Sequence, residues 1–200
     1  MIGLCGAQRT GKTTLAREAA EEFGLEFVET KTSHVMRELG LDPKLDYDFD
    51  VRLEVQWVIL GALRQQYLSA KRAFIADRTP LDALAYMMAD IRRETLTPEQ
   101  DIQLQKYANA CYSTTNQFFQ AVVAVLPGIS VVEEEGKAPA GYGYQEHINM
   151  LILGSLASGR LTTPHFLIRR NMIEMSARLH AMRTVLYKTI ERQTEESALH

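Results

Sequence analysis

Eight residues near the N-terminus, Gly6-Ala7-Gln8-Arg9-Thr10-Gly11-Lys12-Thr13, constrain this chain more than any other segment. They fit the pattern G-x-x-x-x-G-K-[ST], and their flanks suit it. Met1-Ile2-Gly3-Leu4-Cys5 before them is a short apolar run, as a buried parallel strand over about residues 1–6 requires. Thr14 to Phe23 after them place Leu15, Ala19 and Phe23 at helical spacing. The four fixed positions should coincide by chance in roughly one such chain per hundred. A strand before and a helix after lower that further.

The chemistry of the pattern is geometric. A polyphosphate needs many hydrogen-bond donors at close range. Gly6 and Gly11 let the backbone curl so that successive N–H groups point inward as an anion nest. A helix starting near Lys12 adds its unpaired N-terminal N–H groups and the positive end of its dipole. Residues 6–14, including Thr14, are therefore expected to cradle a nucleoside triphosphate. Lys12 would reach the β- and γ-phosphates and Thr13 would ligate Mg²⁺.

Composition narrows the setting. Two hundred residues with 46% hydrophobic content suit one globular α/β domain over 1–200 with a sizeable core. A formal charge of −3 and no long basic tract give no sign of a broad nucleic-acid surface. Cys5 and Cys111 lie far apart in apolar settings and read as reduced core residues. The histidines show no metal-ligand spacing, and no apolar run approaches transmembrane length. The first strand begins at once, leaving no room for a signal peptide, so a soluble cytoplasmic protein is expected.

Strands and helices are expected to alternate. A second strand is read at 25–29 and a short helix near Ser33–Leu39, broken at Leu41-Asp42-Pro43-Lys44. A long helix over about 50–71 points Val51, Val55, Val58, Ile59, Leu63 and Leu68 at the core. Ala73-Phe74-Ile75-Ala76-Asp77 is a third strand ending in a carboxylate, followed by helices near 80–90 and 98–119. The second of these opens on the start signal Thr97-Pro98-Glu99-Gln100. A strand at 121–126, a lid-like loop at 127–143, a helix near 144–158, a strand at 165–168 and a helix at about 171–192 complete the chain. This order implies a three-layer α/β fold, with about five parallel strands covered on both faces and ligand at their carboxyl ends.

The segment Asp77-Arg78-Thr79-Pro80-Leu81-Asp82-Ala83-Leu84-Ala85-Tyr86 is the second informative motif. An acid at a strand tip is where a phosphate-loop protein needs one near Mg²⁺, and the arginine beside it can grip an anion in bidentate fashion. Together with the glycine loop, this motif resembles the P-loop nucleoside and nucleotide kinases. It is most similar to small phage and bacterial kinases labelled AAA-type ATPases, to ribosylnicotinamide kinase domains and to the thymidylate and deoxynucleoside kinases. The resemblance implies the P-loop NTPase fold, ATP and Mg²⁺ as cofactors, Asp77 acting on metal or as base, and Arg78 contacting phosphate. It also suggests that Arg9, inside the loop, contacts acceptor phosphate or developing charge.

Other candidates carry less specific signals. An amide such as Gln56 donates and accepts at once and suits a base edge, though it also suits a polar surface. Tyr86 and Tyr47 could stack on a base. Lys137, alone among the acids of the lid-like loop, could neutralise a transferring phosphoryl group, or that charge could come from Arg92, Arg93, Arg169 or Arg170. Arg169 stands where related kinases hold the adenine ring.

The expected function is transfer of the γ-phosphate of ATP to a nucleoside or nucleoside monophosphate. Two other readings remain open: a kinase acting on hydroxymethylated bases in DNA, and an ATP-binding regulatory switch. A small-molecule acceptor is favoured over DNA, no membrane partner is expected, and the helices near 50–71 and 98–119 could form a homodimer face.

Overall fold

The computed structural model describes residues 1–30, 32, 35, 38–40, 47–91, 95–129 and 141–198. Five strands, β1 (Ile2–Cys5), β2 (Glu26–Val28), β3 (Phe74–Ala76), β4 (Ala121–Val125) and β5 (His165–Ile168), form one sheet in the order β2-β3-β1-β4-β5. Every pairing is parallel, with Ile2 opposite both Ile75 and Ala121. The crossovers carry α1 (Lys12–Phe23), α2 (Phe49–Ser69), α3 (Pro80–Asp90), α4 (Pro98–Phe118) and α5 (Tyr142–Ala157), and α6 (Met175–Ala198) follows β5.

The period-two alternation of strand side chains divides the core into two layers. Ile2, Leu4, Ile75, Val123 and Val125 face α1 and α6. Cys5, Phe74, Ala76, Val122 and Ala124 face the layer built from α2 to α5. Both sheet faces are thus covered, which is why the strands read as apolar runs. Cys5 and Cys111 are buried free thiols, as expected.

The helix starts follow their sequence signals. Thr97 and Gln100 form a reciprocal capping box with Pro98 in the first turn of α4. Asp48 caps α2 by accepting from Val51 N–H at 3.0 Å. Two expectations are corrected. Val58 and Leu68 lie on the outer face of α2, 41% and 63% exposed, while Phe49, Leu53, Leu60 and Tyr67 take the core face. The last helix begins at Met175 rather than near 171, because Arg169–Met172 closes a turn first (Met172 N–H to Arg169 C=O, 3.0 Å).

Of the expected short helix near Ser33–Leu39, the described positions Val35 and Glu38 are helical and Leu39 is in a turn; Thr32, just before it, is also helical. Its break at 41–44, Arg92, Arg93 and Lys137 lie outside the described residues. Among those described, no helix is long and apolar enough to cross a membrane.

Candidate active site

Because β1 pairs with β3, the turn after Cys5 and the turn after Ala76 emerge side by side at the carboxyl edge of the sheet. That single pairing brings the two sequence motifs together. Gly6 has φ 149°, and a Cβ there would lie 2.6 Å from the Val125 carbonyl oxygen, so only glycine makes the entry turn. Gly11 caps α1 in the left-handed region at φ 81°. Arg9 is left-handed as well (φ 59°), a conformation non-glycine residues seldom hold without functional or structural reason.

Lys12 is buried, and its ammonium donates to the Gly6 and Ala7 carbonyls at 2.8 and 2.6 Å. Burial, then the nearby Arg78 cation, lowers its pKa to about 8, with Asp82, Cys5 and Asp77 opposing. Within the loop, the Thr10 hydroxyl donates to the Ala7 carbonyl at 3.1 Å. Thr14 is exposed on the first turn of α1.

The Thr13 hydroxyl donates to Asp77 Oδ2 at 2.8 Å. The other carboxylate oxygen of Asp77 accepts from Thr30 N–H (2.9 Å) and Thr30 Oγ1 (2.7 Å). Thr30 arrives at this position because β2 pairs with β3 in parallel. A hydroxyl and a carboxylate in contact are the hard oxygen donors that Mg²⁺ takes, and they fit it. Among the described residues no group of three or more His, Cys, Asp or Glu could hold a metal. An ion here would draw its remaining ligands from water and phosphate, as Mg²⁺ does.

Arg78 is half-buried against the Tyr86 ring, its guanidinium carbon 5.8 Å from the ring centre. Burial pulls its pKa down, but Tyr86 and Asp82 outweigh it and leave it raised. The Tyr86 hydroxyl donates to Gln8 Oε1 at 3.0 Å, and burial raises its pKa. Gln145, on α5, donates to the Gln8 carbonyl at 2.9 Å. Tyr67 fixes the Arg78 carbonyl at 2.9 Å from within an aromatic cluster with Phe74, Phe118 and Phe119.

Lys12, Thr13, Asp77, Arg78, Tyr86 and the loop therefore converge. Other sequence candidates stand elsewhere. Gln56 accepts from the Tyr107 hydroxyl at 3.3 Å, on the α2–α4 contact. Arg169 is exposed at the exit of β5, and Tyr47 is half-buried ahead of α2.

Sequence reasoning missed Thr30, Gln145, Asp82 and Arg178, all buried. Asp82 Oδ1 accepts the Gly6 N–H (3.2 Å), while Oδ2 accepts Thr79 N–H (2.9 Å) and Oγ1 (3.2 Å). Burial raises its pKa, with the Lys12 and Arg78 cations opposing. Its signal was present as the N3 residue, fourth in the run Thr-Pro-Leu-Asp, of a capping box, which is how it holds the start of α3. Its bond to Gly6 makes that amide part of the scaffold instead of the anion nest. Asp82→Ala should cost about 3 kcal/mol, because it strands buried donors beside two cations. Urea unfolding would measure the loss, and an unchanged midpoint would remove Asp82 from this role.

The parallel sheet, the glycine loop leading into α1 and the acid at the tip of the neighbouring strand define the fold of the P-loop kinases. More particularly, residues 1–122 match the family described as AAA domain, and the chain belongs to it. Among solved structures it is similar to deoxyadenosine kinase from M. mycoides with bound dCTP (16% identity, TM-score 0.64), covering 94% of this chain and 98% of that one. The same kinase with bound dATP gives 17% identity and a TM-score of 0.63, covering 93% and 98%. NadR in complex with NR is similar at 16% identity and a TM-score of 0.69, covering 94% of this chain and 51% of NadR, so the chain spans about half that protein. No curated protein matches the chain in sequence.

Proposed function

We propose that this protein is a phosphotransferase that moves the γ-phosphate of ATP to a nucleoside or nucleoside monophosphate with Mg²⁺. The observation that carries the reading is the second polar array beside the loop: Arg78 held against Tyr86, with Tyr86 tied to Gln8. A switch protein needs the loop and the metal donors alone. An acceptor kinase also needs a cation and a flat apolar ring at the mouth of the loop, to place an anionic or aromatic acceptor in line with the γ-phosphate. The likeness to deoxyadenosine kinase over nearly the whole of both chains supports the same reading at the level of fold.

In this reading the amides of residues 7–13 and Lys12 hold the phosphates. Thr13 and Asp77 hold Mg²⁺, which when bound would neutralise charge on the β- and γ-phosphate oxygens. Both oxygens of Asp77 already accept hydrogen bonds, so we assign it to the metal and not to proton abstraction from the acceptor. Arg78 positions the acceptor and offsets charge as an acceptor oxygen, the hydroxyl of a nucleoside or a phosphate oxygen of a monophosphate, bonds to the γ-phosphorus and the bond to ADP breaks. A hydroxyl proton would pass to water or to the transferred phosphoryl group. Arg9, the Tyr86 ring and Lys137 are further candidates for acceptor or phosphate contact, and Arg169 for the adenine ring.

Purified protein incubated with γ-labelled ATP, Mg²⁺ and separate pools of nucleosides, nucleoside monophosphates and hydroxymethylated DNA tests this. Label is expected in one small-molecule pool. Label confined to DNA, or hydrolysis indifferent to every pool, would overturn the assignment.

A further inference from the structure

Arg178 sits in the first turn of α6, far from the loop in sequence, yet its side chain is only 1% exposed. Its Nη1 donates to the Thr10 carbonyl at 2.9 Å and its Nε to the Met172 carbonyl at 2.7 Å. Its Nη2 is buried with no hydrogen-bond partner among the described residues. Among the described residues no carboxylate offsets its charge, and burial alone lowers its pKa. A buried cation in that position is costly unless something repays it elsewhere. It also stands at the N-terminus of α1, whose dipole has the same sign.

The contact with Thr10 has a specific geometric effect. In a trans peptide the C=O and the following N–H point in opposite directions. Holding the Thr10 carbonyl behind the loop therefore turns the Gly11 N–H toward its interior. Gly11, left-handed and without a Cβ, is the residue at which this peptide could flip at little cost. Flipped, it would present a carbonyl oxygen to the phosphates in place of a donor. The guanidinium takes the space that a Cβ would need: Nη1 lies 3.0 Å from the position of a Cβ on Gly11.

We propose that Arg178 is a positioning residue for polyphosphate binding: it locks the Thr10–Gly11 peptide with its N–H turned inward and stands behind the loop as a positive charge that bound phosphate offsets. The proposal rests on the reading of residues 6–13 as a nucleotide-binding loop. It adds a long-range element to that reading, since α6 now governs the state of a loop at the other end of the chain.

The test pairs affinity with unliganded stability. Mg·ATP and inorganic tripolyphosphate are titrated calorimetrically into wild type, Arg178→Met and Arg178→Lys, and each protein is melted without ligand. Methionine keeps the length and packing but removes the charge and the fork. Arg178→Met should weaken both ligands by roughly 30-fold or more, while its unliganded melting temperature stays at or above that of wild type. Arg178→Lys, which keeps the charge, should recover part of the affinity. In turnover assays KM for ATP should rise in Arg178→Met while kcat changes by less than about threefold. Wild-type affinity in Arg178→Met overturns the proposal. So does a loss for ATP without a loss for tripolyphosphate, or a drop in melting temperature that accompanies equal affinity losses in both variants. Wild type binding neither ligand would sink the nucleotide-loop reading itself, a result readily told apart from these.

Discussion

Lys12→Ala should lower phosphoryl transfer by at least about a thousandfold while leaving the fold intact. Lys12 contributes little to the unliganded structure, because its buried ammonium is repelled by Arg78 and, among the described residues, is hydrogen-bonded to carbonyls of its own loop alone. In the proposed function its value arises when phosphate arrives. The pH dependence gives a second signature of the same residue. Its pKa is about 8 in the folded state against 10.5 for an ordinary lysine. Between those values the unfolded chain binds more protons than the native one, so this group's contribution to stability rises with pH from about 8 to 10.5 and is at its least below 8.

Ligand binding should run the opposite way. A polyphosphate beside Lys12 restores the charged form, so binding above pH 8 takes up a proton. Affinity should then fall by up to about tenfold per pH unit above that point. Calorimetry in buffers of different ionisation enthalpy would show the proton uptake. Retained turnover in Lys12→Ala, or an affinity flat from pH 7 to 10, would remove Lys12 from the phosphate site.

Asp77→Asn should cut the rate by at least about a hundredfold and raise the half-saturating Mg²⁺ concentration at least about tenfold. Metal-free ATP affinity should change little, because the loop amides and Lys12 remain. The amide can still accept from Thr30 through its oxygen, but it turns an NH₂ toward the Thr13 hydroxyl in place of the oxygen that accepts from it. An unchanged rate at saturating Mg²⁺ would show that Asp77 does not bear on the metal. A rate lost with no change in Mg²⁺ dependence would return it to the role of proton acceptor.

Much of the fold was legible because its signals are local. The strand–loop–helix unit at the N-terminus, the buried run at 121–125 and the capped start of α4 each lie within a few consecutive residues. Helix α2 marks where this fails. Apolar residues occur around most of its circumference, so its spacing admitted two faces, and the expectation put Val58 and Leu68 on the wrong one. Only the neighbours it packs against decide, here through contacts such as Trp57 on Tyr107 and Arg64 on Phe118. The start of α6 was misplaced for a related reason. Residues 169–174 include good helix formers, but their backbone is spent on a turn and on accepting the Arg178 side chain.

The same division runs through the site. The loop, Lys12, Thr13, Asp77 and Arg78 belong to two contiguous motifs, and their chemistry follows from residue types at fixed spacing. The contacts that hold them in place were not legible: the capping box of Asp82 could be read, but its bond to Gly6 could not. Asp82 meets Gly6 across 76 positions, Thr30 meets Asp77 across 47, Gln145 meets Gln8 across 137 and Arg178 meets Thr10 across 168. A buried polar partner leaves no periodic trace in its own segment. Its need for a hydrogen bond is met by whichever strand or helix the sheet order delivers to it. The amino-acid sequence by itself thus determined which residues make up the proposed phosphate site. The tertiary structure alone decided what holds those groups in place, because pairing β3 and β4 on either side of β1 and packing α6 over α1 are choices made by the whole core.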